Sequence, residues 1–322
     1  AARQPLFEQF TEAKKQAQAA FEAFIKDYPK SRHVPDNMAR LGTIFVEFED
    51  YPNAERYLNR LNQEFPDHRA LKQAMFNLGK VQFEVGKRKE AAEAFRKILA
   101  EAAEQSAGNL NFISRAFVAS DQADLALLAT EELLRRSESV EHPDYEKLAG
   151  RTRESLLFRA GEAALAANKP RKTVEYLNRL LKDNPKTANF FRAKISLAKA
   201  KRQLAPPDLV GGLIDLNDVR KFAQDDVLIN ETIVEFANNV LSEPGEANVR
   251  RALGQLGQLV LVVDGKVQLL ADEAKTENQP FIEEGIYLAA KAYGLLGDRD
   301  SQELMKKEYR RRFPQGRFSA QL

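Results

Sequence analysis

Apolar residues recur at helical spacing along most of this chain, and aromatic-proline pairs interrupt the pattern. The stretch FIKDYPKSRH at positions 24–33 has a counterpart 37 positions later, LNQEFPDHRA at positions 61–70. Proline has no N–H to donate and disfavours helical backbone at the residue before it. The pattern therefore predicts helices that end at Tyr28-Pro29 and at Phe65-Pro66.

The residues before Pro66 predict a pair of helices in close contact. Small residues at Gly42 and Ala54 would let two antiparallel helices approach, while Phe45 and Leu58 fill the space beside them. The expected first helix carries Leu41, Gly42 and Phe45, and the expected second helix carries Ala54, Leu58 and Leu61.

The same offsets return several times, which predicts a repeat rather than one isolated motif. One good copy runs from Leu78-Gly79 through Ala91 and Phe95, with Ala103 where the proline is expected. Partial copies are marked by Gly161, Thr173, Leu177, Leu180 and Pro185, by Ile113, Phe117, Ala126 and Leu133, and by Tyr293, Gly297, Gln302, Tyr309 and Phe313-Pro314.

These residues resemble the tetratricopeptide repeat, whose pattern combines a Leu-Gly pair, an aromatic residue, alanines and a closing proline. The resemblance implies an all-α fold, a right-handed superhelical solenoid of antiparallel helix pairs. Ahead of Pro29 only the second-helix residues Ala17 and Phe21 are found. We therefore expect the chain to begin inside a repeat, by trimming or processing, with a lone capping helix as the alternative.

The repeat pattern breaks at RQLAPPD, residues 202–208, which Gly211-Gly212 follow. Consecutive prolines stop a helix, and the glycines loosen what comes next. We expect a tetratricopeptide-like array over residues 1–205, and divergent helical pairs with a final repeat-like unit over residues 206–322.

The segment LVLVVDGKVQLL, residues 259–270, allows two structures. Asp264-Gly265 between two Val/Leu-rich runs is a β-hairpin signal. Long helical patterns flank the segment on both sides. The expectation is a helix-turn-helix, with the hairpin as the alternative.

Composition narrows the possible functions. Forty-nine Lys and Arg against 47 Asp and Glu leave a net charge of +2, so no global field recruits nucleic acid or acidic membranes. There is no cysteine and there are three histidines, and no apolar run approaches the roughly 20 residues of a membrane span. No HExxH, Walker or GxGxxG context appears. We expect no catalytic, cofactor-binding or metal-binding residues, no cofactor and no integral membrane segment.

The resemblance also places the expected binding groove. In this family the first-helix positions outside the packing signature line a concave surface, which suits an extended or helical peptide. The aromatic and charged members have a plainer alternative, as interhelix core or as solvated face. Carried over by offset, the groove positions are Thr43, Val46, Phe76, Lys80, Phe83, Asn111, Arg115, Val118, Phe158, Glu162 and Leu165.

Within the wider family, the first 105 residues are most similar to bacterial periplasmic proteins of the outer-membrane assembly lipoprotein and Tol-Pal coordinator types. That similarity implies a non-enzymatic scaffold for protein partners in the periplasm or cell envelope, with the cytoplasm as the alternative location. Two other functions stay open. Residues 208–322 could form a ligand-binding or enzymatic domain recruited by the repeats, or the chain could be one segment of a longer structural repeat protein.

Overall fold

The protein is built from helix pairs and one short β-hairpin. The computed structural model describes residues 3–322, and it describes side chains from residue 8 onward apart from those of residues 72 and 73. Two compact units divide between Ala149 and Gly150. No helix in the described part is both long enough and apolar enough to cross a bilayer.

The first unit consists of consecutive helices joined by short turns. A lone helix, α1, precedes three helix pairs, α2/α3, α4/α5 and α6/α7, and a single turn, α8, ends the unit. The helices are α1 (Arg3–Asp27), α2 (Val34–Glu47), α3 (Tyr51–Glu64), α4 (Arg69–Glu84), α5 (Arg88–Leu99), α6 (Ala107–Val118), α7 (Ala123–Glu138) and α8 (Tyr145–Leu148).

The second unit contains four further pairs and the hairpin. The pairs are α9/α10, α11/α12, α13/α14 and α15/α16. Their helices are α9 (Arg151–Ala166), α10 (Pro170–Asp183), α11 (Phe190–Gln203), α12 (Leu209–Phe222), α13 (Asp226–Val240), α14 (Glu246–Leu256), α15 (Gln279–Leu295) and α16 (Arg299–Arg312); the strands are β1 (Val260–Val263) and β2 (Lys266–Leu269).

The close helix contact predicted at Gly42 is present and recurs. A Cβ added at Gly42 would overlap the buried side chain of Leu58 on the partner helix. A Cβ at Gly79 would lie 2.5 Å from Cε1 of Phe95, and one at Gly161 would overlap Leu177. In all three pairs the large residue follows the glycine by sixteen positions, which confirms the repeat register.

A second feature marks the register and was not predicted. Seven residues after the small position, each of five first helices reaches a residue in the left-handed conformation. The next amide then donates back to the carbonyl five residues earlier, as Asp50 does to Phe45 and Lys87 does to Gln82. The left-handed residues are Glu49 (φ 58°), Gly86 (φ 83°), Asp121 (φ 54°), Asn168 (φ 54°) and Gly297 (φ 76°).

The helix-turn-helix expected for residues 259–270 is wrong. The segment forms the antiparallel hairpin β1/β2, with Val260 opposite Leu269 and Val263 opposite Lys266. Asp264 and Gly265 both have positive φ, 49° and 70°, which is the backbone of a two-residue turn that matches the twist of paired strands. The hairpin is anchored where Leu259 fills the space above Gly285 of α15.

The predicted boundary after residue 205 lies inside the second unit. There α11 and α12 pack against each other across the Pro206-Pro207 turn. Ile195 and Ala198 of α11 belong to the same buried core as Leu216 and Val219 of α12. The division by repeat signature therefore stays a prediction about sequence pattern, separate from the division into compact units.

Candidate functional site

The first helices of neighbouring pairs form a continuous surface within the first unit. Helix α2 packs directly on α4, and α4 meets α6 through aromatic rings. We call the outward side of α2, α4 and α6 the first-helix face. All the groove positions expected in the first unit lie on these three helices.

Thr43 links two first helices, whereas Val46 is part of the core. The Thr43 hydroxyl donates to the carbonyl oxygen of Ala39 (3.1 Å) and accepts from Nδ2 of Asn77 on α4 (2.8 Å). The Val46 side chain is 8% exposed. Thr43 therefore fixes the spacing of the face, and Val46 offers a partner almost no surface.

Phe76 and Phe83 are half-buried and belong to a ring cluster. Their centroids lie 5.8 and 5.7 Å from that of Phe112 on α6, each in an edge-to-face arrangement. Phe112 also contacts Phe95 of α5 at 5.9 Å. These rings join α4, α5 and α6 into one body, so the plainer interpretation of both phenylalanines as interhelix packing has direct support.

The polar groove candidates of the first unit do not belong to this ring cluster. Lys80 is half-buried, and Asn111 and Arg115 are exposed. Within the described part of the chain, the side chains of Lys80 and Arg115 have no ion-pair partner. These two cations are therefore the groove candidates whose charge is available to a ligand.

In the second unit, Phe158 and Glu162 lie on α9 and both are half-buried. Burial raises the pKa of Glu162, and a hydrogen bond from Ser196 together with the charges of Lys199 and Arg192 offsets part of that rise. One carboxylate oxygen, Oε1, is buried without a hydrogen-bond partner among the described residues. Glu162 therefore faces α11 rather than open solvent.

The structure adds an ion-pair network between α11 and α13 that the sequence did not indicate. Nζ of Lys199 lies 2.7 Å from Oε1 of Glu231 and 3.7 Å from Oε1 of Glu235. Arg202 pairs with Glu235 at 3.1 Å, and Arg192 pairs with Glu231. Five charged side chains, three cations and two carboxylates, are thus paired between two first helices.

Two more cations of α11 are neutralised by α12. Lys194 lies 2.8 Å from Asp215 and 2.9 Å from Asp218, and Lys201 lies 2.6 Å from Asp215. Every cation of α11 therefore has a carboxylate within ion-pair distance. Because the repeat signature is absent from α12 and α13, the spacing of residues along the sequence could not predict these contacts.

Burial and pairing have opposite effects in this network. Burial raises the pKa of Glu235, and Lys199 and Arg202 offset part of that rise. Burial also opposes the charge of Lys199, yet Glu235 and Glu231 outweigh it and raise the pKa of that ammonium group. Lys199 is therefore charged at neutral pH, and each cation of the network is already paired with a carboxylate.

One cavity of the second unit is shallow and open to solvent. It measures about 510 Å³ and lies where the turn after α13 meets the end of α15. Its lining consists of Leu241, Ser242, Glu243, Pro244, Gly245, Glu246, Val249, Lys291, Leu295 and Leu296. Across the described residues, no group of three or more His, Asp or Glu side chains is placed to hold a metal ion.

Comparison with known proteins identifies three segments of the chain. Residues 7–31, 73–104 and 155–187 match the family model described as tetratricopeptide repeat. These segments correspond to most of α1, to α4/α5 and to α9/α10. Similarity to the tetratricopeptide repeat is therefore found in these three segments. Of the three segments, those at α4/α5 and α9/α10 include the Gly79–Phe95 and Gly161–Leu177 contacts.

Solved structures with a similar arrangement share little sequence with this chain. A tetratricopeptide repeat protein from Parabacteroides merdae is 15% identical, with 86% of this chain and 92% of that chain covered and a TM-score of 0.47. PilF of Pseudomonas aeruginosa is 14% identical over 96% and 97% of the two chains, with a TM-score of 0.32. A search of curated protein sequences finds no significant match. These similarities are too low to transfer a function.

Proposed function

We propose that this protein is a non-enzymatic scaffold that binds another protein through the first-helix face of its first unit. The observation that carries the proposal is the pair of accessible cations, Lys80 and Arg115, on adjacent first helices that the Phe76–Phe112–Phe83 cluster holds together. A rigid apolar support beneath unpaired polar groups is an arrangement suited to gripping a peptide.

The tetratricopeptide segments support this function because such repeats present an extended surface rather than a deep pocket. The cavity of the second unit is shallow and open to solvent, so it offers less support to an enzymatic or small-molecule role for residues 208–322. An extended repeat surface beside a shallow cavity favours a binding scaffold over catalysis for the chain as a whole.

Cross-linking with selected peptides tests where the partner binds. Peptides enriched from a random twelve-residue library would be bound to protein that carries a photoreactive amino acid at position 115 or, as a control, at position 89. Lys89 is exposed on the second helix α5. We expect cross-links from position 115 and none from position 89; equal cross-linking from both positions, or failure to enrich any peptide, would refute the proposal.

We further propose a location in the periplasm or cell envelope of a bacterium. The support is the similarity of FIKDYPKS and the following Leu-Gly helix to repeats of periplasmic proteins. Fractionation of cells that express the natural gene, with the protein detected by antibody, tests this. Recovery in the periplasmic or envelope fraction is expected, and recovery in the cytoplasm alone would contradict it.

A further inference from the structure

The first-helix face of the first unit carries an excess of unpaired positive charge. Its described cations are Arg40 on α2, Arg69 and Lys80 on α4, and Arg115 on α6. Within the described residues none of the four forms an ion pair, although the guanidinium of Arg40 lies 5.8 Å from the ring of Phe21. A surface cation without a partner is available to an incoming anion at little desolvation cost.

The carboxylates of the same three helices do not balance these cations. They are Asp36, Glu47 and Glu84, and Glu47 already pairs with Lys14 of α1. Two carboxylates, those of Asp36 and Glu84, therefore remain against four described cations. Among its described side chains, the face is positive by two charges, a local imbalance as large as the net charge of the whole chain.

Two of the cations line a cavity between neighbouring first helices. Arg40 and Arg69 lie at a cavity of about 390 Å³ between α2 and α4, together with Asp36 and the side chain of Thr43. The rest of its lining is small: Ala39, Ala70 and Ala74. Small side chains leave room for a ligand, and a guanidinium can bind a carboxylate through two parallel hydrogen bonds.

The second unit shows what a neutralised face looks like. Helix α11 has five cations, more than any first helix of the first unit, and each has a carboxylate partner. An acidic ligand bound there would have to displace a carboxylate from one of these ion pairs. Two of the carboxylates, Glu231 and Asp215, are buried. Positive charge is available to a ligand on the first unit rather than on α11.

We infer that the partner segment bound by the first-helix face is an acidic peptide, with a carboxylate in the Arg40–Arg69 cavity and further acidic side chains near Lys80 and Arg115. This inference rests on the proposed function and adds the chemistry of the partner to it. Charge complementarity selects the peptide and speeds the encounter.

Fluorescence anisotropy with a fluorescein-labelled octaglutamate peptide tests the inference on the full chain. The octaglutamine peptide and an eight-nucleotide oligothymidine are the comparison probes. We expect octaglutamate to bind, with an affinity that falls as salt is raised, and octaglutamine to bind at least about tenfold more weakly. Equal affinity for the two peptides would overturn the inference, and so would tighter binding of the oligothymidine.

The cavity itself is tested by Arg40→Gln/Arg69→Gln, two exposed positions whose replacement leaves the core intact. The matched control, Lys26→Gln/Lys89→Gln, removes the same charge from exposed positions of α1 and α5. The cavity variant should weaken octaglutamate binding at least about tenfold, and the control by less than about twofold. Equal weakening by both variants would overturn the assignment, provided circular dichroism shows both variants folded.

The binding test and the cross-linking test can refute the two proposals independently of each other. If selected peptides cross-link at position 115 but are not acidic, and octaglutamate does not bind, the inference is wrong while the scaffold function stands. If octaglutamate binds through Arg40 and Arg69 but selected peptides cross-link elsewhere, the cavity is an anion site and the scaffold function is wrong.

Discussion

At the residue scale, one small position on each first helix sets how closely a pair packs. Gly42, Gly79 and Gly161 each leave room for a large residue sixteen positions later. The equivalent position of α6 is Ser114, and its partner is Thr130. Their buried hydroxyls lie 2.7 Å apart, so a hydrogen bond replaces the apolar contact of the other pairs.

This packing gives a direct stability prediction. Gly79→Ala should lower the free energy of unfolding by about 1–3 kcal/mol, because the new Cβ meets the fully buried ring of Phe95. Gly254→Ala is the matched control, in an exposed part of α14 with nothing within 4 Å. It should raise stability by up to about 1 kcal/mol through helix propensity. Urea denaturation measures both, and destabilisation by Gly254→Ala as large as that by Gly79→Ala would contradict the account.

Glu162 supplies a pH-dependent prediction at the same scale. Its folded-state pKa is raised by burial, so ionisation destabilises the native state at pH values above that pKa and the penalty disappears below about pH 4.5. Glu162→Gln should therefore raise the Tm at pH 8, and the difference should vanish at pH 4. Lys199, Arg192 and Glu231, the charged neighbours of Glu162, remain in the variant.

Differential scanning fluorimetry across this pH range provides the measurement. Glu303→Gln, which changes an exposed glutamate of α16 paired only with Lys306, is the control and should change Tm little at any pH. A Glu162→Gln variant less stable than the wild type at pH 8 would show that pairing outweighs burial at this site.

At the element scale, a buried arginine stabilises the segment after α5, where the repeat pattern lacks its closing proline. The Arg136 side chain of α7 is 2% exposed and donates to the carbonyls of Ala102, Ala103 and Gln105 at 2.7–3.2 Å. It also pairs with Glu132 and Asp144. This one side chain holds the irregular segment after α5, where the repeat pattern has Ala103 instead of proline.

Removal of this arginine should be costly. Arg136→Met is expected to lower the free energy of unfolding by about 3 kcal/mol, since it removes the donor to three carbonyls and the ion-pair partner of Glu132 and Asp144. Arg135→Met, on the same helix but 60% exposed and paired with Glu132 alone, should cost less than about 1 kcal/mol. Chemical denaturation of the two variants gives the comparison, and similar costs for both would contradict the role assigned to Arg136.

The sequence allowed some elements to be predicted and not others, for physical reasons. Spacing predicted the Gly42–Leu58 and Gly79–Phe95 contacts, because helix geometry ties sequence offset to spatial contact. Residues 259–270 were mispredicted because a short apolar run fits a helix and a strand equally well. In this case Asp264-Gly265 forms the two-residue turn that a hairpin requires, with positive φ at both residues.

At the scale of the whole molecule, composition concealed where positive charge is available. A net charge of +2 excludes a global positive field but does not show where charge lies on the surface. The structure neutralises α11 with carboxylates from α12 and α13 and leaves Arg40, Arg69, Lys80 and Arg115 unpaired among the described residues. Contacts between helices distant in sequence decided this, and offset counting cannot supply them.

The predicted groove residues fall into two groups, those held by contacts between helices and those whose charge is unpaired. Val46, Phe76 and Phe83 are held by packing, Thr43 ties α2 to α4, and Glu162 lies in the α9–α11 contact. Lys80 and Arg115 remain as candidates to meet a partner, which keeps the groove assignment a proposal at those two positions.

The affinity of a library-selected peptide for the variant Lys80→Glu/Arg115→Glu tests whether the protein binds its partner through the first-helix face. Lys26→Glu/Lys89→Glu, with the same change of four charge units on α1 and α5, is the control. Isothermal titration calorimetry should show at least about a tenfold weaker affinity for the first variant and an affinity within about twofold of wild type for the control. Wild-type affinity in the first variant would contradict binding through the first-helix face.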